Sequence, residues 1–444
     1  MAGSEAVREL GEKMDSLARI PLRLSVTVAI GLASFFTYYD VTNYSYISPV
    51  LRNAWGISDA DVAAGASLTV AGYVAGAVSI TLLADSKGRK VAFITSILLL
   101  GVGSLLAAAS QNIGQLVIFR FITGAGIGSE LAIASVYIGE MTSRSKRGRY
   151  TSFLNVLGWA GLSSSGPVSL FLVSGQFAGI DGWRIVLGIA GIVALVSIPF
   201  RMRMPESPRW LLSKGRIAET NYVLSSIGLA PLRSSELQEG AKQKNRIPGR
   251  TVLLRIVFLS GVWLLVYIPI YASLLLVVEY VNQGYSIPQS ILINILGGIG
   301  FVAGGLASVV MAERMERKYQ IATASFVMSI GFVLRGLFVA DFAGLTLAGF
   351  IAFFGNAWLV TSLLAYTAEI FPTRIRSFAS GVVEGSGRAL AAVAPFIFVA
   401  LQPYGFFNLM IGMSAFSFAG AALIAAFGMQ TRGRSLENLN REYA

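Results

Sequence analysis

The sequence predicts an all-α integral membrane protein, with twelve transmembrane helices in two pseudo-symmetric six-helix bundles. Three observations predict it. Hydrophobic residues fill 55% of 444 positions and charged residues 13%, a balance typical of chains that live in a bilayer. The charges gather in short segments between runs of roughly 20 apolar residues, the length that crosses hydrocarbon as a helix. Two segment pairs also recur at one spacing. Residues 82–90 superpose on 310–318, with Asp85 on Glu313, Arg89 on Arg317 and Lys90 on Lys318, an offset of 228. Tyr137-x-x-Glu140 with Arg147 superposes on Tyr366-x-x-Glu369 with Arg376, an offset of 229. Two independent segments sharing an offset mark a tandem duplication.

Taken in order, the spans fall near 22–50, 60–84, 91–110, 114–140, 150–174 and 183–203, then 252–281, 288–312, 319–340, 343–367, 378–402 and 404–428. The domain reading is an N-terminal bundle over 1–203, a linker over 204–250 and a C-terminal bundle over 251–444. The first 20 residues are polar and of mixed charge, so no cleavable leader is expected there. Of the 35 Lys and Arg residues, 29 lie in the terminal segments and the alternate loops that include 85–90, 141–150, 201–250 and 313–318. The opposite loops hold only Arg52 and Arg184. The positive-inside rule therefore puts both termini in the cytoplasm of a plasma-membrane protein. The net charge of +12 thus serves orientation, and no nucleic-acid partner is expected. Residues 204–250 lack the apolar content for a core and read as a linker with short surface helices. Nothing alternates over long stretches, as a transmembrane barrel would require. Glycines four apart (Gly72/Gly76, Gly124/Gly128, Gly300/Gly304) let helices approach closely. With no cysteine and no histidine, neither disulfides nor thiolate or imidazole metal sites are available, and no cofactor or metal is expected.

Four motifs carry a resemblance. They are Asp85-x-x-Gly88-Arg89-Lys90, Glu140…Arg147-Gly148-Arg149, Pro205-Glu206-Ser207-Pro208-Arg209-Trp210, and Glu369-Ile370-Phe371-Pro372-Thr373-Arg374-Ile375-Arg376. In this order they resemble the major facilitator superfamily, and within it the branch of sugar porters, phosphate and aromatic-acid proton symporters and organic-ion transporters. The resemblance implies the major facilitator fold. It also implies a charge latch in which Asp85 faces the start of span 11, favoured there by the helix dipole. Arg89 would hold Asp85, Gly88 would permit the turn, and Glu140, Arg147, Arg149, Glu369, Arg374 and Arg376 would pair across the halves. Glu313 and Arg317 form the second copy, where Glu316 replaces Gly88.

Ionisable groups at the centre of a span cost about 2.5–3.5 kcal/mol to insert, so each calls for a role. At a rise of roughly 1.5 Å per residue, Asp40 on span 1 and Arg120 on span 4 sit at a common depth near 27–30 Å. Similar acid–arginine pairs occur at these positions in family symporters. Asp40 is read as the proton-coupling acid and Arg120 as its tuner, because burial favours a neutral carboxyl and a neighbouring cation favours the charged one. The alternative is a structural tie between the two spans. Glu130, roughly 15 Å in, stands where phosphate symporters carry an acid, and is read as a substrate or second proton site. Glu384 and Arg388 lie four apart on span 11 and either neutralise each other or meet substrate. Glu279 and Arg335, toward the outer ends of their spans, are expected to snorkel. Tyr38, Tyr39 and Asn43 flank Asp40. Tyr267, Tyr271, Asn356 and Trp358 face the equivalent region of the other half, and together these suit a small polar or aromatic solute.

The reading is a proton-coupled secondary transporter, not an enzyme, moving a small organic acid by alternating access as a functional monomer. There is no phosphate-binding loop for ATP drive, and no nucleophile–base constellation. Span 7 lacks the paired glutamines that hold hexoses in sugar porters, which puts a sugar or phosphate symporter, or a uniporter, second. A non-transporting membrane sensor is the rival from another class.

Overall fold

The computed structural model describes residues 2–17, 21–22, 24–143, 147–232, 249–311, 314–371 and 376–430. Helices dominate these residues. A short α1 (Ala2–Asp15) precedes α2 (Leu24–Trp55), α3 (Asp59–Lys87), α4 (Arg89–Ala109), α5 (Ile113–Met141), α6 (Arg147–Leu172) and α7 (Gly182–Met202). After two linker helices, α8 (Pro208–Ser213) and α9 (Ile217–Ser226), come α10 (Arg250–Ala272), α11 (Leu276–Asn282), α12 (Ile287–Met311) and α13 (Arg317–Leu337). The chain closes with α14 (Phe342–Ile370), α15 (Arg376–Ala391), α16 (Ala394–Leu401) and α17 (Phe406–Phe427). Twelve long helical stretches thus occupy the twelve predicted places. Spans 7 and 11 are each broken in two: α10 and α11 by a 3₁₀ turn at Ser273–Leu275, and α15 and α16 at residues 392–393. Pro269 precedes the first break and removes a helix donor. Among the described residues, nine of the twelve stretches are long and apolar enough to cross a membrane. The chain is an all-α membrane protein. A hairpin of two-residue strands, Gln176–Phe177 and Ile180–Asp181, is its β element among the described residues.

Two boundaries differ from the sequence reading. The acid-and-cation stretch near residue 85 is helical through Lys87, so the break before α4 is Gly88 alone. The linker does not stand by itself either. Leu10 and Met14 of α1 are buried with Leu224 and Leu232, and Lys13 Nζ donates to the carbonyls of Ala230 (2.9 Å) and Pro231 (2.7 Å).

The chain forms two compact units. One comprises residues 1–43, 71–165 and 177–246, the other residues 44–70, 166–176 and 247–444. Inside each, glycines weld helix backbones together. A Cβ at Gly72 or Gly76 of α3 would collide with the carbonyl of Phe121 or Ala125 on α5. In the second unit a Cβ at Gly300 or Gly304 of α12 would meet the carbonyl of Phe350 or Phe354 on α14. The contacts are related by the offsets of 228 and 229 that relate the motifs, so the duplication reaches the packing. A side chain at such a crossing costs about 1–3 kcal/mol in overpacking.

Candidate functional site

In the first unit, α2 turns Thr37, Asp40 and Asn43 to one face, as a spacing of three dictates, and all three are fully buried. Arg120 of α5, also fully buried, reaches that face: its Nη1 donates to Asp40 Oδ2 at 2.7 Å and its Nη2 lies 3.4 Å from the Asp40 carbonyl. The contact is one-sided. Among the described residues Asp40 Oδ1 finds no donor, and neither Thr37 Oγ1 nor the Asn43 amide has a partner. The predicted pair is therefore formed, inside a buried polar stripe. The flanking tyrosines turn elsewhere: Tyr39 Oη lies 3.4 Å from the Val186 carbonyl, and the Tyr38 ring packs on Trp159 with centroids 5.8 Å apart.

Glu130 lies ten residues further along α5 than Arg120, about 15 Å away along the axis, and meets a different partner. Arg201 of α7 grips it with two bonds, Nη1 to Oε2 at 2.8 Å and Nη2 to Oε1 at 2.5 Å, and Ser96 Oγ of α4 adds a third at 2.7 Å. Arg201 also donates to the Phe93 carbonyl at 3.1 Å and stacks on the Phe93 ring. All of Glu130, Arg201 and Ser96 are fully buried. Sequence reasoning misses Arg201 because it counts with the linker cations. The available signal is its place inside the apolar run that ends span 6.

At the cation-rich end of this unit, Arg89 is held between Asp85 (Nη1–Oδ1 2.6 Å) and Glu140 (Nη2–Oε1 2.9 Å). Glu206, another residue that the sequence reading left without a role, accepts the backbone N–H groups of Arg89 (2.9 Å) and Lys90 (3.2 Å) at the start of α4, where the helix dipole favours an anion. Gly88, at φ 108°, is the residue that permits this, since a Cβ there would strike the Glu206 carboxylate. In the second unit Arg317 Nε meets Glu369 Oε1 at 3.2 Å. Glu140 and Glu369 thus each pair inside their own sequence half, with the arginine that the duplication assigns them. Glu313 and Arg374, and the side chains of Arg147, Arg149 and Arg376, lie outside the described residues.

Elsewhere in the second unit, Trp263, Tyr267 and Tyr271 recur every four residues along one face of α10. Their rings stand 4.9 and 5.4 Å apart in sequence order. Arg388 of α15 places its guanidinium 5.3 Å from the Tyr267 ring and bonds Glu384 at 2.5 Å. The structure therefore brings Tyr267, Tyr271, Glu384 and Arg388 together, and this ion pair is only partly buried, at 27% and 25% exposed for acid and base. Asn356 and Trp358 are buried on α14, where Trp358 packs edge-on against Phe354.

A further polar cluster lies at the cation-poor end of the second unit. Arg52 reaches Asp59 at 3.2 Å and bonds the Asn282 side-chain oxygen. Gln402 Nε2 donates to both Glu279 Oε2 (2.7 Å) and Asp59 Oδ2 (3.1 Å). Glu279 and Arg335 do not snorkel as expected; they are 4% and 1% exposed, and Arg335 lies between the rings of Phe332 and Phe353. Aromatic faces stand in for the water a guanidinium would otherwise seek.

Comparison with known proteins adds a family. The family model "Sugar (and other) transporter" matches residues 25–443. A putative metabolite transport protein of Bacillus subtilis (strain 168), YyaJ, is 28% identical, over 96% of each chain. The niacin transporter NiaP of Acinetobacter baylyi is 26% identical, over 97% of this chain and 99% of its own. Among solved structures, the inward-open xylose transporter XylE from E. coli superposes with a TM-score of 0.74 at 18% identity, over 95% of this chain and 99% of its own.

Proposed function

We infer the activity from a firm premise: the chain belongs to the sugar (and other) transporter family, and it is a membrane transporter of the major facilitator fold, not an enzyme. We propose that it is a proton-coupled symporter of a small organic acid carrying an aromatic or heteroaromatic ring. The cation-rich face is cytoplasmic, the termini with it, and the protein works by alternating access as a monomer in the plasma membrane.

One observation carries the proton. Asp40 offers Arg120 a single oxygen, while Oδ1, buried in the same span, has no donor among the described residues. A proton can settle on that oxygen without first displacing a partner. Once it does, the charge that holds Arg120 is gone and the contact between α2 and α5 loosens. Glu130, with both oxygens engaged, is read as a tie joining α4, α5 and α7 and not as a second proton site. The substrate reading rests on the Trp263–Tyr267–Tyr271 ladder with Arg388 over it, aromatic walls with one cation for a carboxylate. The niacin transporter among the relatives is named for a pyridine carboxylate. The Arg89 and Arg317 clusters are read as cytoplasmic latches, and the Arg52–Asp59–Glu279–Gln402 cluster as their counterpart at the opposite face.

The test is uptake by proteoliposomes, with and without an inward proton gradient, of nicotinate, benzoate, xylose and phosphate. Gradient-driven accumulation of a ring carboxylate is expected. Accumulation of xylose alone would move the reading to sugar symport, and gradient-independent equilibration would reduce Asp40 to structure.

A further inference from the structure

The second unit keeps the buried arginine of the first and loses its acid. Between α5 and α14 the duplication runs at an offset of 229, which carries Arg120 to Gly349. The guanidinium beside Gly349 comes instead from α13, where Arg335 Nη2 lies 3.4 Å from the point at which a side chain on Gly349 would begin. Asp40 has no acidic successor, because offsets of 228 and 229 carry it to Ile268 and Pro269. Arg335 is fully buried and stands about 27 Å along α13 from Arg317. That is deep in a membrane-spanning segment, where a lone charge is strongly disfavoured.

The surroundings answer only part of that charge. The rings of Phe332 and Phe353 stand 5.5 and 4.7 Å from the guanidinium carbon and attract it through their faces. Ring faces are weak acceptors, and among the described residues Nε and Nη1 of Arg335 have no partner. Glu384 is held by Arg388. Glu279, whose charge also acts on Tyr280, is bonded by Asn282, Gln283 and Gln402. The Tyr280 hydroxyl on α11 is the third unmet group. It is fully buried, has no partner among the described residues, and lies close enough for the Arg335 charge to act on it. We propose that Arg335 and Tyr280 together bind a small monovalent anion of the chloride type, with Nε, Nη1 and Oη as its donors. One guanidinium balances one negative charge, so phosphate or sulfate would bring more than it can match. Burial among phenyl rings favours an ion that sheds its water readily over a ring-bearing carboxylate.

Binding of radiolabelled chloride to the full chain in detergent is measured by scintillation proximity, in sodium gluconate of matched ionic strength. Saturable binding is expected, displaced by bromide or nitrate and untouched by sulfate. Arg335→Met should abolish it. The parent should melt at a higher temperature in chloride than in gluconate, as mass action requires of a ligand that binds the folded chain. Arg335→Met should melt alike in both salts, whereas an arginine that only packs would leave the salt dependence in place. Tyr280→Phe removes one donor and should weaken chloride about tenfold, which keeps the test open if Arg335→Met does not fold. No saturable binding, binding that survives Arg335→Met, or unchanged affinity in Tyr280→Phe overturns the proposal. So does displacement by nicotinate in place of bromide, because the occupant is then an organic carboxylate. The assay uses neither a gradient nor transport, so its failure leaves the symport reading standing.

Discussion

Two carboxylates, Asp40 on α2 and Glu130 on α5, lie buried in the first unit. They are equally buried, and each faces a fully buried arginine. They differ in how completely they are satisfied. Glu130 receives three short bonds from two helices, whereas Asp40 receives a single strong one and, among the described residues, its second oxygen has no donor. A buried acid with both oxygens bonded resists change, because removing its partner strands a charge in low dielectric. A buried pair with one valence unused can accept a proton and part. Under the proposed proton coupling, it is the unmet oxygen and not burial that sets Asp40 apart from Glu130.

The largest expected effect follows at Asp40. Asp40→Asn should abolish gradient-driven accumulation in proteoliposomes while leaving counterflow exchange intact. Residual accumulation would show that the proton travels elsewhere and would remove the distinction between the two pairs. The next effect is on folding. Glu130→Gln should lower stability by about 3–5 kcal/mol, read as a fall in melting temperature. The double variant Glu130→Met with Arg201→Met should recover most of it, with accumulation per folded molecule near that of the parent. A folded double variant that transports without accumulating would make Glu130 a proton site after all. The partly exposed pair on α15 sharpens the contrast from the other side. Arg388→Gln should raise KM for ring carboxylates about tenfold at unchanged kcat, because one charge-assisted hydrogen bond is then missing from the ground state and the transition state alike. A fall in kcat alone would point to a gating role. Smallest is Arg317→Gln, whose partner Glu369 is 30% exposed; below about 1 kcal/mol is expected in a thermal melt.

The fold is legible because hydropathy and positive charge are summed over whole spans, and because the duplication repeats whole motifs. Asp40 and Arg120 can be read as partners since each is an isolated charge in an apolar run and the helical rise puts them level. Arg201 cannot be paired with Glu130 in the same way, as it sits three residues before Met204 at the edge of a cation-rich segment, where position alone suggests orientation. The Asp59–Gln402 contact is out of reach: the residues are 343 apart, and nothing local in either segment asks for the other. The α1 contact with the linker escapes for a similar reason. The shared cluster takes three apolar residues from the N-terminal segment and five from the linker, and neither set makes a core by itself.

The paired glycine crossings have a mechanical consequence. Where α3 meets α5, and α12 meets α14, main chain rests on main chain with no side chain between, so there are no rotamers to reshuffle and no compliant layer to shear. Each pair of rods behaves as a single strut. The two interrupted rods, at Ser273–Leu275 and at residues 392–393, are where bending is left to occur, and Tyr271 at the end of the aromatic ladder and Arg388 each stand within about one turn of a joint.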